Sequence, residues 1–329
     1  MESTAAAPVV QTTVSDHIAL VTIANPPVNA LSAAVRQGLQ QAITALSGNA
    51  DVHAIVITGS GANFIAGADI REFGLPPQEP SLPDVCLQIE AADKLVIAAI
   101  HGAALGGGLE IALAAHYRVA VETAKLGLPE VALGLLPGAG GTQRTPRLIG
   151  AQAALDLMLS GRHAGAKEAL RMGLIDHIAT SNDIAAEGVA YARSLLADGA
   201  PVRRSGEQTA ALADRTAQQA ALDAARADVA KKKGLFSPAK IVDCVQAALD
   251  QPFAQGLATE RELFVQCLNS PQRAGLVHAF FAEREVTKSP ETQSSQPRPF
   301  QKVGVIGGGT MGAGIAVALL DGGLQVTMI

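Results

Sequence analysis

Three glycine-rich stretches bring bare backbone or a carboxylate to positions where it could act on a substrate. The first is Leu105-Gly106-Gly107-Gly108-Leu109-Glu110, where the pattern predicts the end of a strand and the start of a helix. Free N–H groups at a helix start point outward and favour negative charge. Gly107 and Glu110 are three apart and share a helix face, so one element can offer an amide to a developing oxyanion and a carboxylate to a nearby water. A packing turn with a first-turn glutamate fits these residues equally well. The second stretch is Phe64-Ile65-Ala66-Gly67-Ala68-Asp69-Ile70, read as a helix start with Asp69 as its cap and Glu72 in capping-box spacing. A cap accounts for Asp69 itself; the chemical interest is the neighbouring amide of Ala68. Two helix starts giving one N–H each would form an oxyanion hole of the acyl-transfer or enolate type. The third stretch runs from Gly127 to Gly134 and on through Pro137–Arg144. It places Glu130 in an otherwise apolar loop, where an ionised carboxylate is costly unless hydrogen-bonded or catalytic. An exposed loop glutamate is the plain alternative, and Pro137–Gly141 alone is only a sharp turn.

The elements that must carry these stretches read as alternating strands and helices. Val14–Ala24, His53–Thr58, Leu95–Ile100, Tyr117–Glu122 and Ala124–Leu128 are predicted strands. Leu31–Leu46, Thr142–Ile149 and Ala151–Leu159 have helical apolar spacing. Short apolar strands alternating with helices predict an α/β domain. Past about Ser181 the chain turns to alanine and alternating charge, a solvent-exposed helical pattern that passes through the basic run Lys231–Lys233 and continues over Ile241–Leu249 and Ala258–Leu268. Ser289–Pro299 is polar and proline-rich, a linker by composition.

After the linker the pattern restarts. Lys302–Ile306 reads as a strand, GGGTMGAGIAVALLDGG as a glycine turn opening a helix, and Leu324–Ile329 as a second strand. Gly307-x-Gly309-x-x-Gly312 in that context is a dinucleotide-binding turn. The acidic residue that would hold the ribose is due about 20 residues on, where this sequence stops. These residues therefore read as the opening of a truncated domain with no stable NAD site and no dehydrogenase activity of its own.

Composition narrows the classes. With 25 basic against 30 acidic residues among 329, the chain lacks the basic footprint of a nucleic-acid binder. Hydrophobic residues at 48% supply a core, yet with 3% aromatics and no Trp that core must be aliphatic. Cys86, Cys244 and Cys267 lie far apart with neither metal nor redox spacing and read as reduced intracellular thiols. The N-terminus lacks the pattern of a secretory signal. The most apolar stretch, Leu95–Ala115, contains His101, three glycines and Glu110, which makes it a poor membrane span and a good buried site segment. His101 reads as a structural histidine, and His116, His163 and His177 show no ligand spacing, so no metal is expected.

Five motifs in order, NPPVNALS (25–32), FIAGADI, ALGGGLE, LPEVALGLLPGAGGTQR and GLID (173–176), resemble the crotonase superfamily and within it the enoyl-CoA hydratases, over roughly residues 14–190. The stretch 234–288, followed by VGVIGGGTMGAGIA, is similar to the joint of multifunctional fatty-acid β-oxidation enzymes, in which the hydratase is fused to a 3-hydroxyacyl-CoA dehydrogenase.

The resemblance implies a crotonase (ClpP-like) spiral of β-β-α repeats over 1–190, a helical extension over 191–288, a linker over 289–300 and the first βα unit of a truncated Rossmann domain over 301–329. It implies Glu110 and Glu130 as catalytic acids, the amides of Ala68 and Gly107 as the oxyanion hole, and Ala30, Ala66, Asp69, Ile70 and Arg71 along the CoA path. Ile65 stands where the family usually has alanine, and Leu109 where some hydratases have cysteine. The implied reaction is addition of water to a trans-2-enoyl-CoA, with 3-enoyl to 2-enoyl isomerisation as a side activity. The hydratase needs no cofactor; NAD, held by Gly307, Gly309 and Gly312, belongs to the untruncated parent. Acyl-CoA is the implied small-molecule partner, beside a homo-oligomer or a thiolase in the parent. A bacterial cytoplasm is expected, or a peroxisome if the source is eukaryotic. An isomerase, a thioester hydrolase and a non-catalytic acyl-CoA-binding module are the competing functions, and the carboxylate pair argues against mere binding.

Overall fold

The computed structural model describes residues 8–69, 72, 76, 78–231, 234–286 and 298–329. The chain divides into two compact units, residues 1–278 and 279–329.

The first unit is built on a six-stranded sheet of order β1-β2-β3-β4-β6-β9: β1 Val10–Ser15, β2 Ile18–Ile23, β3 Ala54–Gly59, β4 Leu95–Ile100, β6 Tyr117–Ala120 and β9 His177–Ile178. From β2 onward neighbours pair in parallel, Ala54 opposite Leu95 and Ile97 opposite Tyr117. Every residue of β3 (AIVITG) and β4 (LVIAAI) is buried, which is why both read as unbroken apolar runs without alternation. The edge strand β1 is largely exposed. The predicted single strand over Val14–Ala24 is corrected to an antiparallel hairpin, Val10 opposite Ile23 and Ser15 opposite Ile18. Asp16 and His17 turn the corner with φ of 48° and 65°, a two-residue turn whose twist matches paired strands.

Helices α1 (Ala33–Gly48), α2 (Leu82–Ala91) and α3 (Gly107–Ala114) connect the strands. A second small sheet, β5 (Ala103–Leu105), β7 (Lys125–Gly127) and β8 (His163–Gly165), flanks α3. α4 (Gly141–Ser160) joins the two predicted helices across a kink at Gly150, whose φ of 80° breaks helical geometry. α5 (Ala166–Met172) and α6 (Ile184–Ala197) complete this part, α6 lying on β3 and β4. α7 (Arg215–Lys231), α8 (Ser237–Asp250) and α9 (Phe253–Leu268) pack against α4 within the same unit. α10 (Pro271–Val286) follows.

The apolar stretch 95–115 resolves into β4, β5 and α3, and no helix among the described residues is long and apolar enough to cross a membrane. Cys86, Cys244 and Cys267 are free and buried. Residues 289–297, most of the expected linker, and Lys232 and Lys233 lie outside the described residues.

The second unit contains β10 (Lys302–Val305) and β11 (Gln325–Met328), paired in parallel, with α11 (Thr310–Asp321) between them in sequence.

Candidate active site

Three backbone segments run side by side where the glycine-rich stretches meet. Ile65 bridges to Ala104, its N–H donating to the Ala103 carbonyl at 3.1 Å and its own carbonyl accepting from Leu105 N–H at 3.1 Å. Leu31 bridges to Ala68, the Leu31 N–H donating to the Gly67 carbonyl at 2.9 Å, while Ala66 N–H donates to Val28. In a parallel bridge the bonds run through Leu31 to the residues flanking Ala68, so the Ala68 N–H faces the other way. The Ala68 nitrogen lies beside Gly107, 4.0 Å from where a β-carbon on that glycine would stand. Gly107 is the first residue of α3, and its own N–H has no intrahelical acceptor.

Glycine is required here for room. A β-carbon at Gly107 would come within 2.7 Å of the Leu82 side chain and 3.0 Å of Leu31, filling the space beside the Ala68 amide. At Gly108 it would meet the Ile65 carbonyl at 2.2 Å. Gly106, ahead of the helix, has φ 54°, a left-handed turn that lets the chain enter α3.

Glu110 is buried on the first turn of α3. Its Oε1 accepts from Ala139 N–H at 2.7 Å and Gly141 N–H at 2.8 Å, at the start of α4. Both bonds fall on Oε1, so Oε2 remains available to a substrate-side group. Burial pushes the Glu110 carboxyl above the ordinary carboxylate range, while the two amides and the Arg144 charge pull it back. Glu130 lies in a short 3₁₀ turn, Pro129–Leu133, and its Oε1 comes 3.3 Å from where a Gly106 β-carbon would stand. Its Oε2 is buried without a hydrogen-bond partner among the described residues. Burial, then the charges of Glu110 and Glu260, push Glu130 well above the carboxylate range. Buried Glu110 and half-buried Glu130 thus stand at the same helix entrance, the charge of the first raising the second.

The α4 start is held from two sides. Glu260, on α9, accepts from Gly140 N–H at 2.6 Å on Oε1, and from Thr142 N–H at 3.0 Å and the Thr142 hydroxyl at 2.5 Å on Oε2. Burial, then the Glu110 charge, push Glu260 up to about 8. Below it, Arg144 pairs with buried Glu90 at 2.8 Å, donates to the Ala139 carbonyl at 2.9 Å and lies 5.1 Å over the Phe253 ring. Glu90 also accepts from Gly206 N–H at 2.7 Å.

Glu110 and Glu130, and the Ala68 and Gly107 backbones, thus cluster around the 105–110 turn. Ala30 and Ala66 lie half-buried on the same adjoining segments, and Asp69 is buried. The capping-box reading is corrected: Glu72 turns its carboxylate to α1, accepting from Ala33 N–H at 2.7 Å and pairing with Arg36 at 2.9 Å. The next described α-helix, α2, starts behind Ser81. Ile70 and Arg71 lie outside the described residues. His101 is half-buried, with Nε2 3.0 Å from the Gly61 carbonyl oxygen. Glu260, Arg144 and Glu90 were not singled out from the sequence; each sits in an ordinary helical pattern, and only the long-range contacts give it a role.

In the second unit the turn enters α11 with Gly307 at φ 101°, and a β-carbon at Gly312 would meet the Gly307 carbonyl at 1.8 Å. A β-carbon at Gly309, the residue before α11, would meet nothing within 4 Å. Close helix approach together with open backbone at the helix entrance suits a pyrophosphate.

Comparison with known proteins gives a consistent result. The family model described as enoyl-CoA hydratase/isomerase matches residues 13–249. A peroxisomal bifunctional enzyme of Danio rerio is 42% identical over 322 residues, which cover 96% of this chain and 44% of the relative. The peroxisomal bifunctional enzyme of Homo sapiens is 39% identical, with coverage of 97% and 44%. The peroxisomal fatty acid beta-oxidation multifunctional protein AIM1 of Arabidopsis thaliana is 37% identical, with coverage of 95% and 45%. The chain therefore spans less than half the length of these relatives. Among solved structures, an enoyl-CoA hydratase from Bacillus anthracis aligns with TM-score 0.54 at 27% identity, covering 84% of this chain and 96% of that one. A carnitinyl-CoA dehydratase from Mycobacterium avium aligns with TM-score 0.55 at 30% identity, covering 67% and 92%.

Proposed function

The chain belongs to the enoyl-CoA hydratase/isomerase family, with a crotonase-type first unit, and on that premise we propose that this unit adds water across the double bond of a trans-2-enoyl-CoA to give the 3-hydroxyacyl-CoA. The observation that carries the proposal is the pair of carboxyls, that of buried Glu110 and that of half-buried Glu130 with its buried, unpartnered Oε2, at the same glycine turn where the Ala68 nitrogen meets Gly107. A module that only bound acyl-CoA would gain nothing from placing two acids there.

The thioester carbonyl oxygen sits between the Ala68 and Gly107 amides, and water is held by the two carboxyls. As the water oxygen bonds to C3, the π electrons move toward the carbonyl and negative charge grows on its oxygen. Fixed amides in a dry site stabilise that charge, one such donor typically contributing about 3–4 kcal/mol. Glu110, with two amides and the Arg144 charge favouring its ionised form, takes the proton released by water. Glu130, pushed further up and with an unpartnered oxygen, starts protonated and delivers its proton to C2. A proton passing back from Glu110 to Glu130 resets the pair. The same carboxyls can carry a proton between C4 and C2, which makes 3-enoyl to 2-enoyl isomerisation a side activity.

The test is a short 2-enoyl-CoA whose conjugated ultraviolet band disappears on hydration. The chain should consume the band without releasing free thiol. Glu110→Gln and Glu130→Gln should each lower kcat by ~10²–10⁴-fold, the range for a lost acid or base, while CoA binding persists. Release of thiol would point to a hydrolase, and turnover intact in both variants would refute the reading.

The backbone at Ala30 and Ala66, with Asp69, is proposed to line the CoA path; Ile70 and Arg71 join it by sequence position. In the second unit Gly307, Gly309 and Gly312 would hold the pyrophosphate of NAD, whose chemistry when bound is hydride transfer. The names of the relatives, bifunctional and multifunctional, support a parent that couples hydration to 3-hydroxyacyl-CoA oxidation. Their peroxisomal labels favour that compartment if the chain is eukaryotic, with a bacterial cytoplasm the alternative.

A further inference from the structure

Four successive backbone N–H groups at the start of α4 are shared alternately between two carboxylates. Ala139 and Gly141 donate to Glu110, at 2.7 and 2.8 Å; Gly140 and Thr142 donate to Glu260, at 2.6 and 3.0 Å. No side chain of the local sequence caps this helix, because its N-cap is Gly140. The helix start is instead gripped from opposite sides by an acid of α3 and an acid of α9. Moving the helix start toward either one would stretch the bonds to the other. All four donors are buried, so none has water to fall back on. Neighbouring side chains reinforce the grip on the α9 side: a β-carbon at Gly138 would overlap the Phe264 ring at 2.4 Å, and one at Gly140 would lie 3.3 Å from Leu257.

We infer that Glu260 is a positioning residue for hydration: it fixes the α4 start and so determines where the Glu110 carboxylate presents its remaining oxygen. This rests on the hydratase reading above. The charged and titratable groups that meet at this point are Glu110 from α3, Glu130 from the 129–133 turn, Arg144 from α4, Cys86 from α2 and Cys244 from α8. Glu260 is charged only above about 8, and there its charge adds to that of Glu110 in raising Glu130, so loss of the Glu260 carboxyl bears on Glu130 at the alkaline end. The alkaline limb of the pH–rate profile should report that change.

Glu260→Gln removes the charge and leaves one of the two α4 amides without an acceptor. It should lower kcat by ~10- to 100-fold, the order seen when a reacting group is misplaced by a fraction of its reach, with KM little changed. Its alkaline limb should move to lower pH, because Glu130 then loses its proton more readily. Glu260→Asp keeps the charge on a shorter stem, so it should lose kcat while keeping the wild-type limb. Glu262→Gln, exposed on the same helix, should change nothing. A second readout needs no turnover: the titration of the Glu130 carboxyl carbon, followed by NMR of glutamate-labelled protein, should shift to lower pH in Glu260→Gln alone. Equal losses in Glu260→Gln and Glu260→Asp with unmoved limbs and an unmoved titration would reduce Glu260 to a structural contact and overturn the inference. If the wild-type chain fails to hydrate any enoyl-CoA, the functional reading fails by itself, and the carboxyl titration still decides the coupling.

Discussion

α3 and α11 are both entered from a strand through a run of glycines, and both are almost wholly apolar, GGLEIALA against TMGAGIAVALLD. All eight residues of α3 are buried, whereas in α11 Ala316 is the one buried position and Met311, Val317 and Leu320 stand exposed at 78%, 57% and 56%. The local sequence is therefore alike and the surroundings are opposite. Around α3, the Ile65 carbonyl, the Leu31 and Leu82 side chains and the α4 start occupy each space a larger residue would need. At Gly309 and Gly314 a β-carbon meets nothing within 4 Å. A glycine-rich strand-to-helix turn thus specifies how the backbone turns, and at α3 residues distant in sequence enclose it.

The largest test of that contrast lies in the partners of the α3 turn. Arg144→Met leaves Glu90 buried without its cation, which should cost about 3–5 kcal/mol of stability by chemical denaturation; Glu90 and Arg144 replaced together by apolar residues should recover much of it. No recovery would mean that the pair's hydrogen bonds to Ala139 and Gly206, and not its charge balance, support the site. A second test uses pH. Glu260 keeps its proton up to about 8 when folded and loses it near 4.5 when unfolded, so folding takes up a proton between those values. Its contribution therefore falls as pH rises across that window and levels off above it. Thermal melts of wild type should show this decline, and Glu260→Gln should flatten it. The smaller effects compare the two turns directly. Gly108→Ala, driven against the Ile65 carbonyl, should destabilise by about 1–3 kcal/mol and abolish hydration. Gly309→Ala should alter stability by less than about 0.5 kcal/mol. Equal effects at the two glycines would erase the distinction.

What could be read in advance follows the same division. Glu110 and the glycines around Gly107 were legible because a strand, a bare turn and a first-turn acid are consecutive in sequence, and Glu130 because a carboxylate stands in an otherwise apolar loop. The break of α4 at Gly150 was legible for the same reason. Glu260 was not, since its partners lie about 120 residues earlier and its own helix reads as a solvated one. Arg144 and Glu90 were hidden likewise, 54 residues apart. The Asp16–His17 hairpin was missed because alternating apolar residues continue through it without a glycine to mark the corner. Glu72 was misassigned because its spacing from Asp69 fits a cap, while Ala33 and Arg36 on α1 compete successfully for its carboxylate.

The bonds from Gly140 and Thr142 to Glu260 also bear on the order in which the molecule is made. A growing chain that has already emerged with Glu110 and Glu130 still has a loose α4 entrance, because the acid that secures it comes 118 residues after Thr142. Closing so long a loop is slow compared with forming the local strand-turn-helix units. Ordering of the α4 entrance should consequently come late, after α9 has been synthesised and has docked.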